Sequence, residues 1–490
     1  MSIFKQLSGL ARHSAIYAVG TVIQRLPGFI LIPIYTNFTY IPSQGDYGDY
    51  TIVYTFIAFM NFVYLYGMDS AMLRYFFLGE RDRQTVFSTT FFITMLTSVL
   101  TTLLVILFSA EVGEWILKSP AYAPLIRLAG AILFFDALGN LPYLILRAEE
   151  KSIQFTVFKS IRFALELVFN ILFVVILRMG VMGIFYTSLV AAIINLLIML
   201  PIITRYLIPR IDFPLWKEML AFGLPLLPNG IAFMTIEMID RLIVPAYLGK
   251  EALATYSASY RFGTMLLLVI TAFRNAWQPF FLKIAKQENA RQIYAKVLTY
   301  MTLGAGLIVL AGCYFIYDIL TYHYFGKFYI LSERSYWAGI PIIPIILLSY
   351  LLYGMYVILT PGFYIKKESK YMAIFTGCGA LVNVAANIIL LPLLNSFWGA
   401  AWATLLSYAV MTLAILIVSQ RIYPLPIEWG RLGKLLGLIL LLMSVYYLFN
   451  LNFWLRAAII MAAFGYCLFG VITPAERRAV ASRLSGGKKN

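Results

Sequence analysis

The sequence predicts an all-α, polytopic membrane protein of about fourteen transmembrane helices, arranged as two parallel six-helix lobes plus an appended helix pair. Three observations carry this. Apolar residues make up 61% of the 490 residues and charged residues only 12%, against roughly 45–50% and about 25% in an average soluble chain. The apolar residues fall into fourteen runs long enough to cross a bilayer. The chain also resembles itself at an offset near 217 residues.

The composition and the mean hydropathy of +0.83 exclude a soluble enzyme, a disordered regulator and a secreted disulfide scaffold. Cys313, Cys378 and Cys467 lie in apolar runs without metal or redox spacing, so neither a disulfide nor a metal site is expected. His13 and His323 are too few and too far apart for a ligand cluster.

Crossing about 30 Å of hydrocarbon takes roughly 20 apolar residues as a helix, because lipid cannot satisfy an open backbone. Such runs occupy 14–37, 50–68, 86–108, 123–146, 155–177, 180–203 and 219–243, then 253–273, 297–318, 338–360, 371–393, 397–419, 433–449 and 452–472. The short basic N-terminus leads into the first run with no small-residue cleavage motif, which reads as a retained first span. The breaks Arg178-Met179-Gly180 and Asn450-Leu451-Asn452 divide two longer stretches into helix pairs. No connection exceeds about 25 residues, so none holds a globular catalytic domain. The longest, Arg274 to Lys296, is basic and reads as an amphipathic surface helix.

The net charge of +16 would suggest nucleic acid in a soluble chain. Here it follows topology. With the N-terminus cytoplasmic, 27 of the 38 Lys and Arg residues fall in cytoplasmic segments. Six fall outside (Lys118, Arg178, Arg241, Lys250, Lys327 and Arg334), and five fall within spans. Basic residues gather in cytoplasmic loops, so both termini are expected inside and no nucleic-acid partner is expected.

The repeat is clearest in two stretches. Asn170-Ile171-Leu172 matches Asn387-Ile388-Ile389, and the run from Gly183 to Leu189 matches that from Gly399 to Leu405. The fifth and sixth spans therefore resemble the eleventh and twelfth. Six spans per unit is an even number, so the units are parallel, one of the repeat symmetries of transporters. This gives lobes at 1–210 and 211–421, with 422–490 holding the appended pair and a basic tail.

Polar and small residues at helical spacing mark helices that face water rather than lipid. The first span carries Ser14, Tyr17, Thr21, Gln24, Arg25 and Gly28; the second carries Thr51, Tyr54, Thr55, Ala58 and Asn61. The seventh carries Gly230, Glu237, Asp240 and Arg241; the eighth carries Ser257, Tyr260, Arg261, Thr264, Thr271 and Asn275. These are equivalent spans under the repeat, which predicts a cavity between the lobes. The competing reading is that small and hydroxyl residues join helices.

Charges inside spans are costly and point to function. Arg25 and Arg261 both lie on polar stripes, where the guanidinium fork suits a phosphate or pyrophosphate; a structural ion pair with Asp136, Glu166 or Glu237 is the alternative. Arg162 and Glu166, spaced i,i+4, are read as satisfying each other. Glu237, with Asp240 beside it, is a candidate ion- or proton-coupling site. Asp136 is another, with Arg127, Arg162 or the cavity as its alternative neighbours. Arg74 could meet an incoming headgroup, or be a solvated loop charge. No Walker-A loop, HExxH or catalytic triad pattern occurs, which disfavours an ATP-driven pump and a membrane hydrolase.

The run from Gly223 to Pro228, then Asp240-Arg241, Gly249, Tyr256, Tyr260 and Trp277-Gln278-Pro279-Phe280, resembles the second-half signature of bacterial polysaccharide (O-antigen type) flippases. Tyr47-Gly48, Arg74 and the stretch from Asn387 to Thr404 also resemble that family, a branch of the multidrug/oligosaccharidyl-lipid/polysaccharide exporter superfamily. The resemblance implies a non-enzymatic transporter of the bacterial inner membrane, working by alternating access through a central cationic cavity. Its implied substrate is an undecaprenyl-pyrophosphate-linked oligosaccharide for lipopolysaccharide or other surface polysaccharide. Gln24, Arg25, Asn61, Arg74, Tyr260 and Arg261 would contact it. No cofactor is implied beyond coupling to a proton or sodium gradient. A polysaccharide polymerase and chain-length machinery are the implied protein partners. One departure is that Asp136, Glu166 and Glu237 nearly balance the arginines within the spans. The alternatives are a peptidoglycan lipid-precursor flippase, a cation-coupled drug exporter, and more remotely a membrane polysaccharide polymerase or ligase.

Overall fold

A computed structural model describes residues 23, 26–78, 81–324, 326, 328–366, 368, 370–474 and 476–478. The described residues are helical almost throughout. The first half runs through α1 (Pro27–Ile30), α2 (Ile32–Tyr35), α3 (Gln44–Leu65), α4 (Met68–Leu78), α5 (Arg83–Leu107), α6 (Ser109–Leu117), α7 (Ala123–Ala148), α8 (Ser152–Asn170) and α9 (Gly180–Tyr206). The second half contains α10 (Phe213–Gly223), α11 (Leu227–Met238), α12 (Asp240–Gly263), α13 (Met265–Ile284), α14 (Ala290–Thr321), α15 (Ile343–Ile358), α16 (Pro361–Ile365), α17 (Lys370–Leu394) and α18 (Trp398–Ile422). The chain closes with α19 (Trp429–Leu448) and α20 (Phe453–Tyr466).

Side-chain caps fix several helix starts. Ser43, Asp82, Asp212 and Asn452 each accept the backbone N–H three residues on, at 2.9–3.1 Å, which satisfies donors a helix leaves orphaned. The Ser43 cap explains why α3 begins six residues before the expected span: Asp46 and Asp49 lie inside the helix.

The expected count of fourteen is not reproduced among the described residues. Eleven helices are long and apolar enough to cross a membrane, or twelve if α3 and α4, bent by 48°, form one span. Much of the first expected span lies outside the described residues. The fifth is a continuous helical stretch, α8 with a π-helical end at Ile171–Ile176, whose Lys159, Arg162 and Glu166 lower its apolar character. The seventh and eighth join in one 51-residue stretch, Phe213–Gly263. That stretch folds back at Gly249 (φ 84°, ψ 171°). In a straight helix, residues 16 apart would lie about 24 Å apart, yet the Tyr256 hydroxyl donates to the Asp240 carboxylate. The basic segment from Arg274 to Lys296 is not a separate surface helix. It is the end of α13 and the start of α14, joined by a short turn.

The repeat seen in the sequence recurs in the backbone. Arg178 (φ 50°) and Asn395 (φ 45°) both adopt the left-handed conformation in the turns after α8 and α17. A Cβ on Gly183 would lie 3.0 Å from the Phe173 carbonyl oxygen, and one on Gly399 would lie 2.7 Å from the Leu390 carbonyl carbon. Asn170 and Asn387 each donate to the carbonyl four residues back, as do Ser188 and Thr404.

α15 is buried along almost its whole length, enclosed by α12, α13, α14 and α18. α19 and α20 lie against α14 and expose Leu440, Leu448, Trp454 and Met461. Arg456 joins α20 to α14 through both oxygens of Asp318, at 2.7 and 3.0 Å. On α5, Leu100, Leu103, Leu104 and Leu107 face outward, as lipid-contacting side chains should.

The glycine contacts give a direct test. Gly399→Ala forces a methyl onto backbone that cannot swing aside and should destabilise the protein by about 1–3 kcal/mol. Gly437, where an added Cβ would meet nothing within 4 Å, should tolerate alanine. Thermal unfolding of the two purified variants separates them, and equal unfolding temperatures would refute the close contact.

Candidate functional site

A cavity of about 350 Å³ lies between the two halves of the chain. α3 and the turns around Gly28 form one wall, α7 and α8 a second, and the α12–α13 junction a third. Arg261, in the last turn of α12, points into it. Its Nη1 donates to the Gly28 carbonyl at 2.8 Å and its Nη2 to the Tyr50 hydroxyl at 3.4 Å. Among the described residues no carboxylate forms an ion pair with Arg261. A guanidinium has five N–H donors, so this one has capacity left for an anion.

The opposite wall is built on α8. Arg162 sits between Asp136 of α7, at 2.8 Å, and Glu166, at 3.2 Å. Two carboxylates thus meet on one guanidinium. One turn earlier, Lys159 is buried with its ammonium 3.9 Å from the centre of the Tyr143 ring, a cation–π contact. One turn later, Asn170 accepts from the Tyr35 hydroxyl at 2.7 Å. Tyr35, Tyr50 and Tyr54 line the space between the walls, with neighbouring ring centres 5.4 and 4.7 Å apart. Tyr54 also shares a hydrogen bond with Ser188 of α9.

The halves touch each other on both sides of the cavity. At the Gly249 end, Lys250 pairs with Asp49 at 2.5 Å and Gln44 donates to Thr255 at 3.1 Å. There Ser332 also bonds to Thr36 and to the Pro33 carbonyl. A Cβ on Gly48 would lie 2.5 Å from the Lys250 carbonyl oxygen. At the other end, the αL residue Gly67 (φ 81°) meets Gly223, and a Cβ there would lie 2.4 Å from the Gly223 oxygen. Phe62 packs on Gly230, and Arg81 pairs with Glu218 at 3.2 Å.

A second polar cluster lies inside the second half. The Glu237 carboxylate accepts from Tyr350 at 2.9 Å and from Tyr408. Asp240 accepts from Tyr256 and from the Arg241 backbone N–H. The Arg241 side chain donates to the Glu237 backbone carbonyl at 3.1 Å and lies 5.1 Å from the Tyr260 ring centre.

Of the charges the sequence singled out, Arg261, Asp136, Arg162 and Glu166 line the cavity, as do Gly28, Tyr54 and Thr264 of the polar stripes. Asp136 pairs with Arg162 there, while Arg127 bonds to Ser109. Gln24 and Arg25 lie outside the described residues. Asn61 is half-buried one turn beyond the cavity residue Ile57 and does not line the cavity. Tyr260 is fully buried against Tyr350 and turned away from the cavity. Arg74 is exposed on α4, stacked over Phe222 at 4.2 Å. Glu237 and Asp240 belong to the separate second cluster. Arg241 is not in an outer loop as expected, because the helical stretch continues to Gly249. Glu166 does pair with Arg162, but the pair is not self-contained: it includes Asp136 and faces the cavity.

Thr51 and Thr55 are buried and bond to carbonyls of their own helix, so part of the α3 stripe is satisfied within the helix and does not line the cavity. The cavity residues passed over by the sequence reading are Tyr35, Tyr50, Asn170 and Ser188. Two signals pointed to them: Tyr47, Tyr50 and Tyr54 share one face of α3, and Asn170 and Ser188 fall in the repeat.

Solved structures share this architecture. "Lipid II flippase MurJ, inward closed conformation" matches with TM-score 0.74 and 17% identity, over 92% of this chain and 98% of its own. A multidrug resistance MATE family transporter of the MOP superfamily, in an outward-facing conformation, matches with TM-score 0.63 and 15% identity, over 88% and 96%. A MOP superfamily transporter from Pyrococcus furiosus matches with TM-score 0.62 and 15% identity, over 88% and 96%. At these identities the likeness establishes the fold. No curated protein matches the chain. The family itself comes from a sequence model described as "Polysaccharide biosynthesis protein", which matches residues 41–330 and so takes in α3 to α14 and all of the cavity lining except the residues from Pro27 to Tyr35. A membrane-embedded cavity on a transporter fold thus carries the sequence of the polysaccharide biosynthesis protein family, and the chain belongs to that family.

Proposed function

We propose that this protein is a flippase. It moves an undecaprenyl-pyrophosphate-linked oligosaccharide across the bacterial inner membrane, for lipopolysaccharide O-antigen or a related surface polysaccharide. The observation that carries this is Arg261, a cation at membrane depth that is held by a carbonyl and a phenol and pairs with no described carboxylate. A permanent cation placed so needs an anionic ligand to repay its burial, and pyrophosphate offers oxygens matched to its fork. The tyrosines around it present flat, half-polar surfaces suited to sugar rings. The polyprenyl tail has no need of the cavity and can remain in lipid.

The parts follow from this reading. The lobes are 1–210 and 211–421, and 422–490 is an accessory pair with its tail. Both termini are cytoplasmic. Arg25 and Gln24 join Arg261 in contacting the pyrophosphate, and Arg74 meets the headgroup before entry. About 350 Å³ holds a pyrophosphate and little more, so the glycan enters only after one end opens. Rocking of the lobes closes one end as the other opens, biased by the ligand's different affinity for the two states. Glu237 and Asp240 couple this to a proton or sodium gradient. A polymerase and chain-length machinery act on the delivered product. A second reading, a peptidoglycan lipid-precursor flippase, draws on the likeness to the lipid II flippase fold; deletion of such a protein would be lethal, whereas loss of a surface polysaccharide is not.

Three outcomes are expected. Arg261→Ala should cut surface polysaccharide about ten-fold or more, the scale of losing a hydrogen-bonded charge contact, at normal protein level. Arg261→Lys should restore only part, because ammonium lacks the planar fork. Wild-type polysaccharide in Arg261→Ala cells would overturn the anion cavity. Glu237→Gln keeps an acceptor for Tyr350 or Tyr408 but removes the charge. In proteoliposomes it should abolish the dependence of translocation on an imposed ion gradient; an unchanged dependence would remove Glu237 from the coupling role.

A further inference from the structure

A second cavity, of about 260 Å³, opens at the Gly249 end of the bundle, outside the path described above. Its apolar lining includes Ile52 of α3, Ile116 of α6, and Leu242 and Pro245 of α12. Two ammonium groups, Lys118 and Lys250, complete it. Trp115 stands at its rim with 73% of its surface exposed. Just before α6, the outward leucines Leu103, Leu104 and Leu107 mark the lipid-facing belt. The cavity therefore lies where acyl chains give way to headgroups, the level at which tryptophan and lysine collect.

The two lysines are notable for their scarcity. With Arg241 placed inside a helix, five of the basic residues assigned to outer segments remain, and two of them line this one cavity. Lys118, in a left-handed turn (φ 60°), uses one donor on the Trp115 carbonyl at 3.2 Å, and an ammonium has three. Lys250 is held by Asp49 at 2.5 Å and Tyr122 at 3.4 Å. Glu111 and Glu114 lie on the exposed part of α6 and do not line the cavity.

We infer that this cavity binds a net-anionic membrane phospholipid, with its phosphate between Lys118 and Lys250 and the start of an acyl chain along Ile52, Ile116 and Leu242. The volume suits a small headgroup and excludes a lipid-linked oligosaccharide. The bulk bilayer supplies such a lipid in large excess. The site also touches the contacts between the halves described above. Lys250 is shared between the lipid phosphate and Asp49, so lipid binding weakens the Asp49–Lys250 contact at the Gly249 end.

The test uses the full-length protein equilibrated with vesicles of equal parts phosphatidylglycerol and phosphatidylcholine, then native mass spectrometry of the retained lipid. Phosphatidylglycerol should be enriched. Lys118→Gln, a change at an exposed position, should lower the enrichment about five-fold, the scale of one lysine near an anionic lipid. Asp49→Asn should raise it by releasing Lys250. Lys434→Gln, an exposed charge on α19 far along the chain, should leave it unchanged. Equal enrichment in wild type and Lys118→Gln overturns the proposal, as does an equal loss in Lys434→Gln or no rise in Asp49→Asn. Displacement of phosphatidylglycerol by excess inorganic phosphate alone would also overturn it, because the site would then read a free anion and not a lipid.

Discussion

A charge at membrane depth must bring its partners with it, because hydrocarbon supplies neither counter-ions nor hydrogen bonds. The arrangement of this protein follows from that constraint. Arg162 is held between Asp136 and Glu166, so α7 and α8 face each other across one wall of the cavity. Glu237 draws in hydroxyls from α15 and α18, which ties α11 to the core of the second half. Arg456 reaches Asp318 and fastens α20 to α14. Arg261 differs: its partners are a carbonyl and a phenol, neither of them charged. The cavity lies where this one cation and the carboxylate-paired Arg162 face each other.

The helix that binds the two halves is α3 with its continuation α4. At one end Gly48 lies on the Lys250 backbone, and at the other Gly67 lies on Gly223. Both contacts bring backbone to backbone, which only glycine allows at that distance. The polar contacts are unevenly divided. The Gly249 end has a partly buried ion pair, a hydrogen bond from the Gln44 amide to Thr255 and the two Ser332 hydrogen bonds. Among the described residues the Gly67 end has one ion pair, with both side chains about half exposed, and exposed pairs contribute little. The two ends thus rest on different interactions and respond differently to salt and to the surrounding lipid.

Much of this was legible in the sequence. Apolar runs gave the helical class, and the Asn170/Asn387 and Gly183/Gly399 matches anticipated turns that coincide in backbone conformation. Arg261 was found as a charge on a polar stripe. Its neighbour Tyr260 was placed beside it, and that failed for a geometric reason. Successive residues on a helix point about 100° apart, so both cannot face one cavity, and the pattern does not tell which one does. Arg241 was misplaced because the reversal at Gly249 comes later than the apolar run suggested. The basic stretch from Arg274 to Lys296 was misread because α14, with 32 residues, spans about 48 Å and overshoots the hydrocarbon. The partners of Asp136 were open in the sequence because pairing between α7 and α8 depends on their relative rotation.

The Glu237 contacts also bear on how the chain is made. Tyr350 and Tyr408 lie 113 and 171 residues after Glu237. At roughly 5–20 residues per second, synthesis of the longer interval takes about 9–34 s. For the first 113 residues of that interval α11 carries an acidic side chain with neither phenolic partner yet made, and for the rest it lacks Tyr408. The nascent second half must hold that carboxylate near water or neutralised by a proton, and α11 settles only once α18 has been inserted. Assembly of this half is therefore concerted late in translation and does not proceed one helix at a time.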